Sequence, residues 1–218
     1  MLYENELNSV QKKIKDIGLG LVDANKMILE ALNDCDTQKF NDAKSYIKNI
    51  SSKTSDIDND IIKILALYSP EARDLRQVVS YLKITNELNR AVANTRSFIK
   101  GFVDVCSATD VKIVKEYAIP MQRSTVKAVQ SAINMLDMSC EDELKDSIND
   151  VIIEESKTDD LYEIVEKSLV QQASQSDDFE TYHNMLKALR KSSKIADRAI
   201  SIANLILYIN LGGQFSSK

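Results

Sequence analysis

Leu7, Val10, Ile14, Ile17, Leu21, Ala24, Ile28 and Ala31 follow one another at alternating steps of three and four, the spacing that lines up one face of a helix. It predicts a first helix from about Glu4 to Leu32 with one seam buried against neighbours. The polar run Asn33-Asp34-Cys35-Asp36-Thr37 reads as a short connection. A second seam, Phe40, Ala43, Ile47, Ile50, Thr54, Ile57, Ile61, Ile64 and Tyr68, predicts one continuous helix that stops at Ser69-Pro70. A third helix is expected to begin near Pro70: a serine oxygen can accept from a free amide, proline costs nothing at a first helical position, and Glu71 suits the positive helix end. Its buried stripe is read as Leu75, Val78, Val79 and Leu82, then Leu88, Ala91, Val92, Phe98 and Phe102.

The second half of the chain repeats the plan. Val114, Tyr117, Met121, Ala128, Ala132 and Leu136 mark its first helix, in which Pro120 is expected to give a kink or a displaced start. Leu144, Ile148 and Ile152 lead into a second helix through Leu169. Ser176-Asp177-Asp178-Phe179-Glu180 offers a cap for the last one, which runs past Met185-Leu186 to Tyr208 and stops at Gly212-Gly213. Short connections between long helices force antiparallel neighbours. The expected architecture is therefore all-α, two tandem, pseudo-symmetric three-helix bundles over residues 1–106 and 107–218, one unit used twice.

Composition agrees with an all-helical chain long enough to bury a core: 218 residues, 44% hydrophobic, five glycines and two prolines. The formal charge of -5 comes from acids and bases mixed along the chain, with no basic block to track a phosphate backbone, so nucleic acid is not an expected partner. No apolar run reaches the length of a membrane span, and Met1-Leu2-Tyr3-Glu4-Asn5-Glu6 lacks the pattern of a signal peptide; a cytoplasmic protein is expected. Cys35, Cys106 and Cys140 are odd in number and isolated, which speaks for ordinary thiols rather than a disulfide framework or a zinc site.

Candidate chemistry lies in carboxylates at helical spacing. Asp56 and Asp60 are four apart and share a helix face; Glu155 and Asp159 repeat that spacing in the second half. Carboxylates close to a seam must be solvated, paired or bound to a cation. Equally, Asp58, Glu154 and Asp160 beside them fit a plain acidic, solvated face. His183 has no cysteine or second histidine nearby and reads as a surface or packing residue. Arg73, Arg76, Lys83 and Arg90 can bind an anion, although ion pairing to Asp74 or Glu87 is their expected use. No nucleophile stands beside a base and there is no glycine-rich phosphate loop, so a binding protein rather than an enzyme is expected.

Pro70-x-Ala72-x-Asp74-Leu75-Arg76, followed by Leu82-Lys83-Ile84 and Glu87-Leu88-x-Arg90, resembles the signature of the PhoU family of bacterial and archaeal phosphate-signalling regulators. Ile195-Ala196-Asp197-Arg198-Ala199, with Ile202-Ala203 and Tyr208 before Gly212, resembles that family's second repeat. The resemblance implies a negative regulator of the phosphate response. Such a protein is a non-enzymatic adaptor, often a homodimer, between the ATPase subunit of the phosphate ABC transporter and a phosphate-sensing histidine kinase, held peripherally at the inner membrane through its partners. Two alternatives go with it: a detached accessory domain of a sodium/phosphate cotransporter, or a metal-binding helical bundle.

The resemblance also implies a divalent cation or iron at acidic motifs on the second and third helices of each half. By position these fall at Asp56 and Asp60, and at Glu155 and Asp159. On the third helices they fall at Asn89 and Ala93, where both acids are missing, and at Ser193 and Asp197, where one remains. What is left is one oxygen-ligand site in the second half, made by Glu155, Asp159 and Asp197.

Overall fold

In the computed structural model, which describes residues 2–106, 111–173 and 179–212, the stripe that starts at Leu7 becomes one side of α1 (Leu2–Asp34) and is buried along its length. The second seam is not one helix but two, α2 (Thr37–Tyr46) and α3 (Ile50–Tyr68). Asp36 starts α2 by accepting from the amides of Gln38 and Lys39. Asn49 interrupts the run at φ 59, in the left-handed region that asparagine tolerates better than most residues. The break presses the Tyr46 carbonyl against α1, where a Cβ on Gly20 would stand 2.6 Å from it. Arg96 satisfies the next carbonyl, Ile47, at 2.6 Å.

The third helix also departs from expectation. Ser69 at φ 43 ends α3 instead of capping the next helix, and α4 (Ala72–Cys106) starts at a second left-handed residue, Ala72 at φ 47. Its buried stripe is Val78, Tyr81, Ile84, Leu88, Ala91 and Val92, while Leu75, Val79 and Leu82 are 38–41% exposed. The departure is confined to the first turns, for Leu88, Ala91, Val92, Phe98 and Phe102 are buried as expected. Ile152 is likewise outside the core and Val151 inside it.

In the second half a short lead-in, α5 (Val111–Ile113), passes through a π turn at Val114–Ala118 into α6 (Ile119–Asn134). The proline thus sits in the first turn of α6, where its missing N–H is harmless, and the wider turn before it is the displaced start that Pro120 requires. α7 (Glu141–Ala173) and α8 (Phe179–Leu211) complete the chain. The Gly212 amide closes α8 on the Tyr208 carbonyl at 3.0 Å, with Gly212 at φ 73. The expected cap around Ser176–Asp178 and the tail from Gly213 onward lie outside the described residues. Among the described residues there is no strand, and no helix is long and apolar enough to cross a membrane. Cys140 is a free thiol, but Cys35 is disulfide-bonded, against the expectation of an ordinary thiol there.

α1 packs on α2, α3 and α4, and α6 packs on α7 and α8. The two sets are joined lengthwise. Gly101 meets Ala188, Glu87 meets Arg198 and Arg76 lies over the Tyr208 ring, so α4 and α8 run antiparallel side by side. Gln11 with Leu136, Gly18 with Ile133 and Asn25 with Gln122 make the same arrangement of α1 and α6.

The apolar interior follows these long pairs. One core takes the Leu7–Ala24 end of α1 with α3 and the ends of α4, α6, α7 and α8 beside it; the other takes Ile28–Leu32 with α2 and the opposite ends. Between them lies a buried polar layer. Gln122 donates to Asn25 Oδ1 at 2.9 Å and to its carbonyl at 3.1 Å. Ser192 donates to Gln122 Oε1 at 3.0 Å and shares a 2.9 Å contact with Thr125. Asn25 reaches Thr95 at 3.4 Å. One polar side chain or more from each of α1, α4, α6 and α8 is satisfied there, which is the condition for burying such groups at little cost.

Candidate functional site

The long pairing of α4 with α8 leaves a groove where α7 approaches them, of about 580 Å³ and lined by charges of both signs. Glu155 and Asp159, one helical turn apart on α7, face Asp197 of α8. One ligand oxygen from each lies within 4.8 Å of the other two. Ser193, one turn before Asp197 and fully buried, donates to Asp159 at 2.7 Å and fixes that carboxylate. Lys194 pairs with Asp197 at 2.5 Å. The α4 wall contributes Lys83, Asn86, Glu87 and Arg90. Glu87 accepts from Arg198 at 2.9 Å and from Arg90 at 3.4 Å, so it ties the two long helices together at the groove floor.

Three carboxylate oxygens at this spacing suit one hard cation that prefers oxygen ligands. The fit is to a single ion, with the Lys194 ammonium on Asp197 Oδ2 as a competing positive charge beside it.

The counterpart in the first half is built from different residues than the spacing suggested. Asp60 turns to α1 and pairs with Lys13 at 2.6 Å, and Asp56 is exposed. The acid that faces α4 is Asp58, with Thr54 one turn before it and with Asn86 and Asn89 opposite. Burial holds the Asp58 carboxyl above its usual range. A lone carboxylate among amide and hydroxyl groups is a poorer cation site than the trio in the second half.

The signature residues lie along α4 and serve mainly to dock it. Pro70 and Ala72 form the sharp entry. Asp74 bonds through its amide to the Glu71 carbonyl at 3.0 Å in the first turn. Leu75 is exposed, and the Arg76 guanidinium lies 5.9 Å from the Tyr208 ring centre and against Gly212. Lys83 and Arg90 line the groove, and Arg90 uses Glu87 as its ion-pair partner, as expected from the sequence. His183 stacks on Phe179 with ring centres 5.7 Å apart, a packing role.

Residues that sequence reasoning passed over are Lys194, Arg190 and Lys191 on the α8 side of the same seam. Their common spacing with Arg198, at 190, 191, 194 and 198, was a legible signal of one helix face.

Residues 14–92 match the family model of the PhoU domain. The chain is similar to the phosphate-specific transport system accessory protein PhoU of Edwardsiella tarda, 25% identical over 223 aligned positions that cover 98% of this chain and 86% of that one. Its fold is similar to the crystal structure of PhoU from Pseudomonas aeruginosa, with a TM-score of 0.84 at 22% identity over 97% of this chain and all of that one (100%). It is also similar to the phosphate transport system regulatory protein PhoU from Streptococcus pneumoniae, with a TM-score of 0.82 at 15% identity, covering 99% of this chain and 100% of that one. The domain match over residues 14–92, the relative aligned over nearly the whole chain and the shared fold all make this chain similar to PhoU proteins.

Proposed function

We propose that this chain is a PhoU-like negative regulator of the phosphate response. In this reading it is a non-enzymatic, cytoplasmic adaptor between the ATPase subunit of a phosphate ABC transporter and a phosphate-sensing histidine kinase. The names of its relatives, a transport-system accessory protein and a transport-system regulatory protein, support the reading. So does one structural observation. The stretches 73–90 and 187–198, far apart in sequence, meet where Glu87 and Arg90 of α4 stand beside Lys194 and Arg198 of α8, and carry charges of both signs there. Such a face suits docking of a charged protein surface. The two three-helix sets, taken as repeats of one unit, give this face a wall from each half.

The test uses the full chain with charge-reversing substitutions Arg73→Glu and Lys83→Glu on α4 and Lys187→Glu on α8, all exposed. Pull-down of the ATPase subunit and of the kinase is expected to fall with each pair of reversals. Unchanged pull-down of both would refute the placement. In a deletion strain, phosphate-responsive transcription is expected to stay on in phosphate-rich medium; normal repression would refute the regulatory role.

A second reading attaches to the Glu155, Asp159 and Asp197 trio. It takes up one divalent cation as a structural clamp between α7 and α8. Isothermal titration with Mn²⁺ is expected to give one equivalent, lost in Asp159→Asn; elemental analysis below about one equivalent after metal loading would sink it.

A further inference from the structure

Beside the acidic trio, along the same α4–α8 seam, lies a second depression of about 450 Å³ lined by Arg90, Ala93, Asn94, Arg190, Lys191, Lys194 and Arg198. We propose that this cationic pocket binds a small, multiply charged tetrahedral oxyanion of the phosphate class. The proposal stands on the charges of the pocket and does not depend on the adaptor reading.

Five of the seven lining side chains are cationic and none is a carboxylate, in a chain whose net charge is -5. Glu87 pairs with Arg90 and Arg198, and Asp197 pairs with Lys194. Within the lining of the depression itself the five cations meet no carboxylate; Glu155 and Asp159 stand in the adjoining groove and Glu166 beyond the Tyr162 ring, so the positive charge is local to this pocket. Charge gathered against the sign of the whole molecule favours a multivalent anion at that point.

The donors are also held in place. The Arg190 guanidinium lies over the Tyr162 ring at 4.7 Å, which fixes its plane. Arg198 is anchored by Glu87 at 2.9 Å, and its Nε is shielded from solvent without an acceptor. Lys191 and Lys194 follow one and four residues after Arg190, so they project from the same stretch of α8. Planar guanidinium forks pair with two oxygens of one phosphate group at once, and lysines add point charge. Ala93, the small residue opposite, leaves room between the two helices, and Asn94 adds an amide donor.

The surroundings select a compact anion over an extended acidic peptide segment. The adjoining groove, which shares Arg90, Lys194 and Arg198 with this pocket, carries Glu87, Glu155, Asp159 and Asp197. An acidic peptide running along the seam would meet those four carboxylates. A single tetrahedral group does not.

Isothermal titration of the full chain at about 0.15 M salt, where non-specific attraction is screened, tests the proposal with inorganic phosphate, sulfate, glycerol 3-phosphate and a poly-glutamate peptide. Saturable binding of a phosphate-class ion is expected, weakened at least about tenfold in the Arg190→Gln/Lys191→Gln double variant. Lys53→Gln, on the exposed side of α3, is expected to bind as the parent does. Tighter binding of inorganic phosphate than of the ester identifies the free ion as ligand; tighter binding of the ester identifies a phosphoryl group on a larger molecule. Thermal melting of the double variant within about 2 °C of the parent confirms that folding is intact. If unfolding intervenes, Arg190→Lys takes its place and is expected to weaken binding by loss of the fork alone. No saturation by any small oxyanion, equal loss in Lys53→Gln, or binding of the peptide but not phosphate each overturns the proposal.

Discussion

Arg198 donates through Nη1 to Glu87 Oε2 at 2.9 Å across 111 positions of the chain. The two side chains are only 20% and 15% exposed. A pair this far from water sits between a surface ion pair, worth up to about 1 kcal/mol, and a buried one, whose breakage costs roughly 3–5 kcal/mol. Glu87→Ala, which leaves Arg198 charged and half-buried, is expected to cost about 2 kcal/mol in urea unfolding. A double-mutant cycle with Arg198→Ala is expected to show coupling near 1 kcal/mol or more. Coupling close to zero would mean that α4 and α8 do not depend on this contact.

Two glycines of α1 make contrasting predictions. A Cβ on Gly20 would stand 2.6 Å from the Tyr46 carbonyl, a backbone atom held by the α2–α3 break. Gly20→Ala is expected to destabilise by about 2–3 kcal/mol despite the better helix propensity of alanine. On Gly18 it would meet the tip of Ile133, with Cδ1 at 2.4 Å. Gly18→Ala is expected to cost roughly 1 kcal/mol, and Ile133→Val, which removes Cδ1 but keeps Cγ1 at 2.9 Å, to recover part of it. Thermal melts of the three variants decide between rigid and yielding neighbours.

Tyr81, only 3% exposed, accepts from Gln77 at 2.8 Å and donates to Gln11 at 2.8 Å. Burial is the main cause that pushes its phenol up to about 12 from 10.0. A group whose folded value lies above its unfolded value supports the fold below the unfolded value and loses that support as pH rises through the folded one. The alkaline loss of stability between pH 10.0 and about 12 is therefore expected to be shallower in Tyr81→Phe, although that variant is about 1 kcal/mol less stable at neutral pH. Chemical denaturation at several alkaline pH values measures both effects.

Asp58 carries the same sign in the carboxylate range. Its folded value is raised by burial, so its ionisation opposes folding once pH exceeds that value. Asp58→Asn is expected to melt higher than the parent at neutral pH and to lose that advantage in acid, below the unfolded carboxylate range. A constant difference across the whole pH series would show that the effect is not one of charge.

Most of the helices were legible because their seams have one dominant phase. α1 is the clearest, with Val10 through Ala31 at steps of three and four and all of them buried. The break at Asn49 was not legible, because Ile47 and Ile50 keep a helical step across it and both stay buried. Only the first turns of α4 were misread, because Val78 and Val79 are adjacent and either can start a stripe; from Leu88 to Phe102 the expected residues are the buried ones. The same phase problem hid Asp58. In Asp56-Ile57-Asp58-Asn59-Asp60 three acids flank one seam residue, and sequence spacing does not say which side meets α4. Asp197 was legible by its position, and Lys194 and Arg190 by their helical spacing with Arg198; what that face meets is settled only by the packing of α4 beside α8.

The buried layer made by Asn25, Thr95, Gln122, Thr125 and Ser192 draws from both ends of the sequence. A severed half would carry Asn25 and Thr95 without Gln122, or Gln122 and Ser192 without Asn25, and would expose the flank of α1 and α4 or of α6 and α8. Such a fragment would need the other half to shelter those amides and the hydrocarbon around them. Carrying both halves on one chain makes their association independent of concentration.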